Sequence, residues 1–295
     1  MNTKEIKIPV PWGHIAAKTW GKEENQTVIC VHGTLDNAGS FDTLIPHLPQ
    51  SFYYVCIDLP GHGLSSHYEK YLPVTFHNLL LPLRIVCEYL ARDTYIFMGH
   101  SLGARLLVTH CQLFQQQTSK LILIDSTYTL PKPPVIYLMS LEDTYNNLMK
   151  SLDFKPEDRP SMTYAEAVRK VKESRFSGTL TYETAEHITR RMVEKNGDKY
   201  QFTYDPRLKT ILEPPVDMKY IEELLKLCPL QCPVIVLAMK DTVEAFEKYE
   251  FSHNYMNVIP DSEVHVIDGH HHYHHTNPES VAIFISKFLL DQSKL

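Results

Sequence analysis

Ser101 lies at the centre of a Gly-x-Ser-x-Gly pattern, between Gly99 and Gly103, in a chain of 295 residues. An apolar run at 95–98 precedes the pattern and a helix-like segment at 102–114 follows it. This context predicts a serine on a sharp strand-to-helix turn, where the two glycines avoid collisions with neighbouring backbone. We therefore expect the Ser101 hydroxyl to be a nucleophile that attacks a carbonyl carbon.

A serine hydroxyl needs a neighbouring imidazole to accept its proton, and an acid to orient that imidazole. The sequence offers candidate bases after its last predicted strand, at 264–267: His270, His271, His272, His274 and His275. Closely spaced histidines also suggest metal binding, but no cysteine pair or clear acidic ligand flanks them, so no metal is predicted. His100, beside the nucleophile, is interpreted as a packing or entrance residue.

Aspartates follow two of the predicted strands between Ser101 and the histidines. Asp125 ends the apolar run at 121–124, and Asp241 comes shortly after the run at 234–238. Glu244 is a third candidate. Asp125 has a structural alternative, since a strand-end aspartate commonly caps backbone amides.

Backbone amides stabilise the oxyanion that forms when a carbonyl is attacked. His32-Gly33-Thr34-Leu35 follows the predicted strand at 27–31, at the same predicted sheet edge as the Ser101 turn. We expect the amides of Thr34 and Leu102 to form the oxyanion hole, with Leu35 as a substitute for Thr34. The loop at 58–65 is interpreted as a wall of this edge.

The elements that must position these residues alternate between strands and helices. Continuous apolar strands separated by helices indicate an α/β fold with a mostly parallel sheet flanked by helices, after an opening hairpin around Pro11-Trp12-Gly13. Between 127 and 229 the Val/Ile runs stop and charged segments with helical spacing follow. The sequence thus predicts a core formed by 1–126 and 230–295, with an all-helical cap inserted at 127–229.

Composition restricts the class of partner and the compartment. The net charge is −6 and the pI about 6.2, so nucleic acid is not expected as a partner. The longest apolar stretch, at 79–90, contains Pro82, Arg84 and Glu88 and predicts no membrane span. Without an apolar leader we expect a soluble, intracellular protein with reduced cysteines.

The last three residues are Ser293, Lys294 and Leu295. Ser-Lys-Leu at a carboxyl terminus is a peroxisomal address that an import receptor reads. The sequence therefore predicts a peroxisomal location, with the import receptor as a partner.

The chain resembles the animal serine hydrolase-like (Kraken-type) proteins of the α/β-hydrolase superfamily. The resemblance is carried by VPWGHIAAK from Val10, VHGTLDNAGSFDTLIP from Val31, DLPGHGLSSHY from Asp58 and GHSLG at 99–103. It thins within the predicted cap. It implies an α/β-hydrolase fold with Ser101 as nucleophile.

The resemblance also bears on the base and the acid. In lipase and esterase relatives the base stands seven residues before the proline that opens the last helix, which selects His271 before Pro278. Many α/β-hydrolases carry the acid at a Gly-x-x-Asp turn, which favours Asp241, although Ala238 replaces the glycine. The family keeps an aspartate matching Asp125, which remains the alternative.

Together these features predict a serine hydrolase that cleaves a carboxylic ester-type acyl bond through an acyl-enzyme, without a cofactor. A small apolar ester is the expected substrate, because the predicted cap is rich in aromatic and methionine residues: Tyr137, Met139, Tyr145, Met149, Phe154, Tyr164, Phe176 and Tyr182. The absence of a basic cluster in the sequence argues against a strongly anionic thioester. The alternatives are a binding or sensor protein of the same fold, a cofactor-free lyase and an acyl thioesterase.

Overall fold

The computed structural model describes residues 1–175 and 178–292. Phe176, one of the aromatic residues expected in the cap, lies outside the described residues. The tripeptide Ser293, Lys294 and Leu295, on which the import prediction rests, also lies outside the described residues.

Within the described residues, eight strands form one mixed sheet: β1 (Thr3–Val10), β2 (Gly13–Trp20), β3 (Gln26–Val31), β4 (Phe52–Ile57), β5 (Tyr95–His100), β6 (Thr118–Ile124), β9 (Val234–Met239) and β10 (Glu263–Ile267). Their order across the sheet is β1-β2-β4-β3-β5-β6-β9-β10. The strands β1 and β2 form an antiparallel hairpin and β2 pairs antiparallel with β4, while the other pairings are parallel. Two further strands, β7 (Val193–Asn196) and β8 (Lys199–Phe202), form a separate hairpin.

Helices cover both faces of the sheet, which explains why its central strands are apolar at almost every position. The helices are α1 (Leu80–Leu90), α2 (Leu102–Leu113), α3 (Pro134–Asp153), α4 (Tyr164–Glu173), α5 (Tyr182–Thr189), α6 (Met218–Leu227), α7 (Lys240–Glu247), α8 (Tyr273–Thr276) and α9 (Pro278–Leu290). One apolar cluster joins the sheet to α1, α2 and α6, and a second cluster on the other face joins it to α9. The α/β-hydrolase fold predicted from the sequence is confirmed.

The segment between β6 and β9 adds no strand to the main sheet in the described part of the chain. It carries α3 to α6 and has a small apolar core of its own, formed by α4, α5, Leu180 and Met192. It differs from the predicted all-helical insertion because β7 and β8 pair around Gly197, whose φ of 62° suits a tight turn. Helix α5 accordingly ends at Thr189, before this hairpin.

A buried ion pair fastens this inserted segment to the sheet. Arg191 follows α5, and its Nη2 lies 2.8 Å from Oδ2 of Asp58, which follows β4. Both side chains are almost fully buried, and Arg191 also pairs with Glu5 of β1. The Asp58 carboxylate accepts further hydrogen bonds from the amides of Ala38 and Leu64.

No helix among the described residues is both long enough and apolar enough to cross a membrane.

Candidate active site

The turn that carries Ser101 has the geometry that its glycines predict. Ser101 adopts φ 53° and ψ −119° between the end of β5 and the start of α2, a conformation that side chains rarely take. A Cβ at Gly99 would lie 2.5 Å from the Ala104 nitrogen, and one at Gly103 would lie 2.1 Å from the Val31 carbonyl oxygen. Glycine is therefore needed at both places so that α2 can start directly against β3 and β5.

His271 is the histidine of the 270–275 cluster that reaches this serine. Its Nε2 lies 2.9 Å from Ser101 Oγ, although the two residues are 170 positions apart. His271 stands in the loop between β10 and α8, and its carbonyl oxygen accepts a 2.9 Å hydrogen bond from Nε2 of His100. His100 is fully buried. It was expected to be a packing or entrance residue, and this bond makes it a positioning residue for the His271 loop.

The carboxylate that faces the imidazole belongs to Asp125. Its Oδ2 lies 2.6 Å from His271 Nδ1 and accepts a 2.6 Å hydrogen bond from the Thr242 hydroxyl, while Oδ1 accepts one of 2.6 Å from the Met239 amide. Asp125 is buried and follows β6 with φ 55°, a left-handed conformation that turns its side chain toward the loop of His271. The hydrogen-bonded chain is thus Ser101, His271 and Asp125.

The structure does not bring Asp241, the acid that the sequence favoured, to the His271 imidazole; Asp125, the alternative, lies there. Asp241 is exposed in the first turn of α7, and its backbone amide donates to the Gly269 carbonyl at 3.2 Å. Glu244, one turn further along the same helix, is exposed as well. The helix begins immediately after β9, so the residue that reaches back toward the site from it is Thr242, through its bond to Asp125.

The loop after β3 places Thr34 beside the nucleophile. A Cβ on Gly33 would lie 3.1 Å from Ser101 Cβ, so the backbone here passes close to the serine. The Leu35 amide donates to Nε2 of His62 at 3.2 Å, which removes Leu35 as an alternative oxyanion donor. Thr34 and Leu102 remain the predicted donors, since Thr34 lines the cavity with Ser101, and Leu102 opens α2.

Two buried histidines hold this loop. His32 accepts from the Leu59 amide at 3.0 Å and donates to the Gly33 carbonyl at 2.7 Å. Burial lowers the pKa of His32 to about 4 and that of His62 to about 3, which keeps both imidazoles neutral so that each can accept and donate one hydrogen bond. The loop at 58–65, expected to be a wall of this edge, holds the loop after β3 through the bond between His62 and the Leu35 amide.

A cavity of about 970 Å³ opens above Ser101, between the sheet edge and the inserted segment. Its walls are mainly apolar and include Leu130, Phe154, Met162, Met192, Phe202 and Tyr204. Of the cap residues expected to suit an apolar substrate, Phe154 lines the cavity, whereas Met139, Tyr145, Met149 and Tyr182 are exposed. The pocket is therefore largely apolar, but most of its apolar lining comes from residues other than the cap residues that were expected to suit an apolar substrate.

Cationic side chains also reach this cavity from separate parts of the inserted segment: Arg159, Lys170, Arg175 and Lys209. Arg159 pairs with Glu194 at 3.4 Å, and the guanidinium of Arg175 donates to the carbonyl oxygens of Leu35 and Val171. The members of this group are spread over fifty positions, from Arg159 to Lys209, so no local sequence pattern groups them. Only the folding of the cap brings them together.

Comparison with known proteins places this geometry in context. The model of the α/β-hydrolase fold family matches residues 26–278. The chain is similar to a "Probable serine hydrolase" from Drosophila melanogaster, with 33% identity over 97% of this chain and 87% of that protein. It is 48% identical to the "Serine hydrolase-like protein" of Mus musculus over 42% of this chain, a region that is 40% of the mouse protein's length.

A solved structure shows the same fold at a greater distance in sequence. A hypothetical protein from Pseudomonas aeruginosa PAO1 has a TM-score of 0.83 and 24% identity, over 97% of this chain and 99% of that one.

Proposed function

Because this chain belongs to the α/β-hydrolase fold family and to its serine hydrolase-like group, we propose that it cleaves carboxylic ester-type acyl bonds with Ser101 as the nucleophile. The single observation that carries the proposal is the hydrogen-bonded chain of Ser101, His271 and Asp125 at the base of the cavity. A serine, an imidazole and a carboxylate in this order form the catalytic triad of acyl-transfer enzymes.

The proposed reaction proceeds in two steps. Ser101 Oγ forms a bond to the acyl carbon while its proton passes to His271 Nε2, and this proton then goes to the leaving alkoxide as the ester C–O bond breaks. Water attacks the resulting acyl-enzyme, gives a proton to His271 and releases the carboxylic acid, and the proton returns to Ser101. The Thr34 and Leu102 amides stabilise the oxyanion of each step.

Asp125 supplies orientation and charge in this scheme. The His271 proton lies on Nδ1, which donates it in a hydrogen bond to Asp125 Oδ2. Nε2 therefore carries the lone pair that accepts the serine proton. The carboxylate also stabilises the imidazolium that forms during each step.

Turnover of p-nitrophenyl esters of increasing acyl length tests the proposal. We expect hydrolysis that favours acyl chains long enough to contact the apolar wall, and a loss of about a thousandfold or more in Ser101→Ala. Ser119→Ala is the matched control, because Ser119 lies in β6 with its hydroxyl on the Tyr95 carbonyl. Wild-type turnover equal to that of Ser101→Ala contradicts the proposal and supports a binding or sensor protein.

The cationic side chains at the cavity favour a second candidate, an acyl thioesterase whose substrate carries an anionic group. Lys170 and Lys209 are exposed and line the cavity, where they can attract a negative charge outside the acyl site. Butyryl-coenzyme A and p-nitrophenyl butyrate separate the candidates. For the thioesterase, Lys170→Glu lowers kcat/KM for the coenzyme A thioester and leaves that of the neutral ester unchanged; equal effects on both substrates exclude it.

A further inference from the structure

A buried cluster of metal-binding side chains lies next to the proposed nucleophile. Asp36, His100 and His272 each present one potential ligand atom, and these atoms all lie within 4.8 Å of one another. Their exposed fractions are 2%, 0% and 6%. They come from three segments, namely the loop after β3, the end of β5 and the loop before α8, and line the same cavity as Ser101.

The polar atoms of this cluster are not fully used by the protein. Among the described residues, Oδ2 of Asp36 and Nδ1 of His100 are buried without a hydrogen-bond partner. The other atom of each side chain is bonded, since Asp36 Oδ1 accepts from the Asn37 amide and His100 Nε2 donates to the His271 carbonyl. An unpaired carboxylate oxygen and an unpaired imidazole nitrogen are costly to bury, and they are also the atoms that a cation would bind.

We propose that Asp36, His100 and His272 bind a divalent transition metal ion of the zinc class, which inhibits the enzyme. Two imidazole nitrogens and a carboxylate oxygen are a ligand set that Zn²⁺ takes, with a further position left open. Ligand bonds of about 2.1 Å in a tetrahedral site put ligand atoms roughly 3.4 Å apart, so the side chains need to close by about an ångström. The open position would face the cavity.

The inhibition follows from the position of the cluster. The centroid of the His100 ring lies 4.7 Å from that of His271 and 5.5 Å from that of His272. A cation bound there occupies part of the cavity beside Ser101, into which the acyl group of a substrate must enter. This inhibitory role rests on the proposed hydrolase function, whereas the metal binding does not.

Binding is measured on purified protein without reference to activity. Equilibrium dialysis against Zn²⁺ and the visible spectrum with Co²⁺ are recorded for the wild type and for Ser101→Ala, which keeps all three ligands. We expect one tight site per chain in both proteins, with tetrahedral Co²⁺ bands. Asp36→Asn and His272→Gln should each weaken Zn²⁺ binding by roughly tenfold or more, the scale of effect seen even for residues outside the ligand shell.

His265→Gln is the matched control. His265 pairs with Glu263 at 2.7 Å on β10, so it represents a histidine–carboxylate pair at a partly exposed site outside the cluster. Binding that this variant abolishes, or that Asp36→Asn and His272→Gln leave intact, overturns the proposed site. Absence of any Zn²⁺ binding overturns it as well.

Inhibition is then tested as a ratio, dividing each variant's ester turnover with Zn²⁺ by its own turnover with a chelator. We expect Zn²⁺ to lower this ratio to about one tenth or less for the wild type and His265→Gln. For Asp36→Asn and His272→Gln the ratio should stay near unity. Tight binding without inhibition removes the inhibitory role alone. If no ester is turned over, dialysis and the Co²⁺ spectrum still decide whether the site exists.

Discussion

Replacing Asp125 with asparagine tests how the structure orients the His271 imidazole. The Met239 amide can only donate, so it must meet the oxygen of the new side chain, as it meets Oδ1 of Asp125 at 2.6 Å. The new amide NH₂ then takes the place of Oδ2, which faces His271 Nδ1 and the Thr242 hydroxyl. If the asparagine side chain were rotated by 180°, its NH₂ group would face the N–H of Met239, and both groups are donors. The orientation of the new side chain is therefore fixed.

An NH₂ group facing Nδ1 forces the proton of His271 onto Nε2. The imidazole then donates toward Ser101 Oγ, 2.9 Å away, and cannot accept its proton. The same change of tautomer in a serine protease lowers kcat by about 10⁴-fold, which corresponds to about 5.5 kcal/mol of transition-state stabilisation. We expect a loss of this order in Asp125→Asn.

Asp241→Asn is the matched comparison, since it makes the same chemical change at an exposed position in the first turn of α7. We expect kcat within about twofold of the wild type and a stability change within about 0.5 kcal/mol. Ester turnover and urea unfolding are measured for both variants. A large loss in Asp241→Asn, or more than a tenth of wild-type kcat in folded Asp125→Asn, refutes this reasoning.

Three further predictions concern stability. Arg191→Met leaves the buried Asp58 carboxylate without its cation and should cost about 3–5 kcal/mol in urea unfolding, whereas a cost below about 1 kcal/mol would show that the pair does not fasten the cap. Gly103→Ala places a Cβ 2.1 Å from the Val31 oxygen, so we expect little soluble folded protein, and a Tm equal to that of the wild type would contradict this. The pKa values of His32 and His62, about 4 and 3 in the folded protein, lie below the 6.5 of a free imidazole, so the unfolded chain binds more protons below pH 6.5. Stability should therefore be complete above this pH and fall toward pH 4, by about 1.4 kcal/mol per pH unit for each imidazole, and a flat profile in urea titrations would argue against their burial as neutral groups.

Ser101 and His271, which the structure brings together, could be singled out from the sequence because each prediction depends on a local pattern. Gly99 and Gly103 indicate a tight turn wherever they occur in this context, and the spacing between His271 and Pro278 is read along the chain. The acid depends on which strand end faces the imidazole. Asp125 and Asp241 both follow apolar strands, and the backbone φ of 55° at Asp125 and the immediate start of α7 at Asp241 decide between them.

The hairpin of β7 and β8 was not predicted for a different reason. Gly197-Asp198 forms the two-residue turn of this hairpin, and Gly-Asp between two strands is a hairpin signal that the sequence contains. The charged residues on both sides of this turn also match helical spacing, since the exposed face of a helix accepts charges at many positions. This match favours a helix over the hairpin. By contrast, the histidine run at 270–275 does not reveal that Asp36 and His100 converge on His272, because this convergence depends on the packing of two loops and a strand end that are distant in the chain.

Fluorophosphonate labelling followed by peptide mass spectrometry tests the central claim, that His271 makes the Ser101 hydroxyl reactive. We predict stoichiometric phosphonylation of the peptide that contains Ser101, no label on Ser126, which lines the same cavity with its hydroxyl on the Tyr255 phenol, and loss of labelling in His271→Ala. Folded wild-type protein that takes up no label, or that is labelled equally fast without His271, would contradict the account.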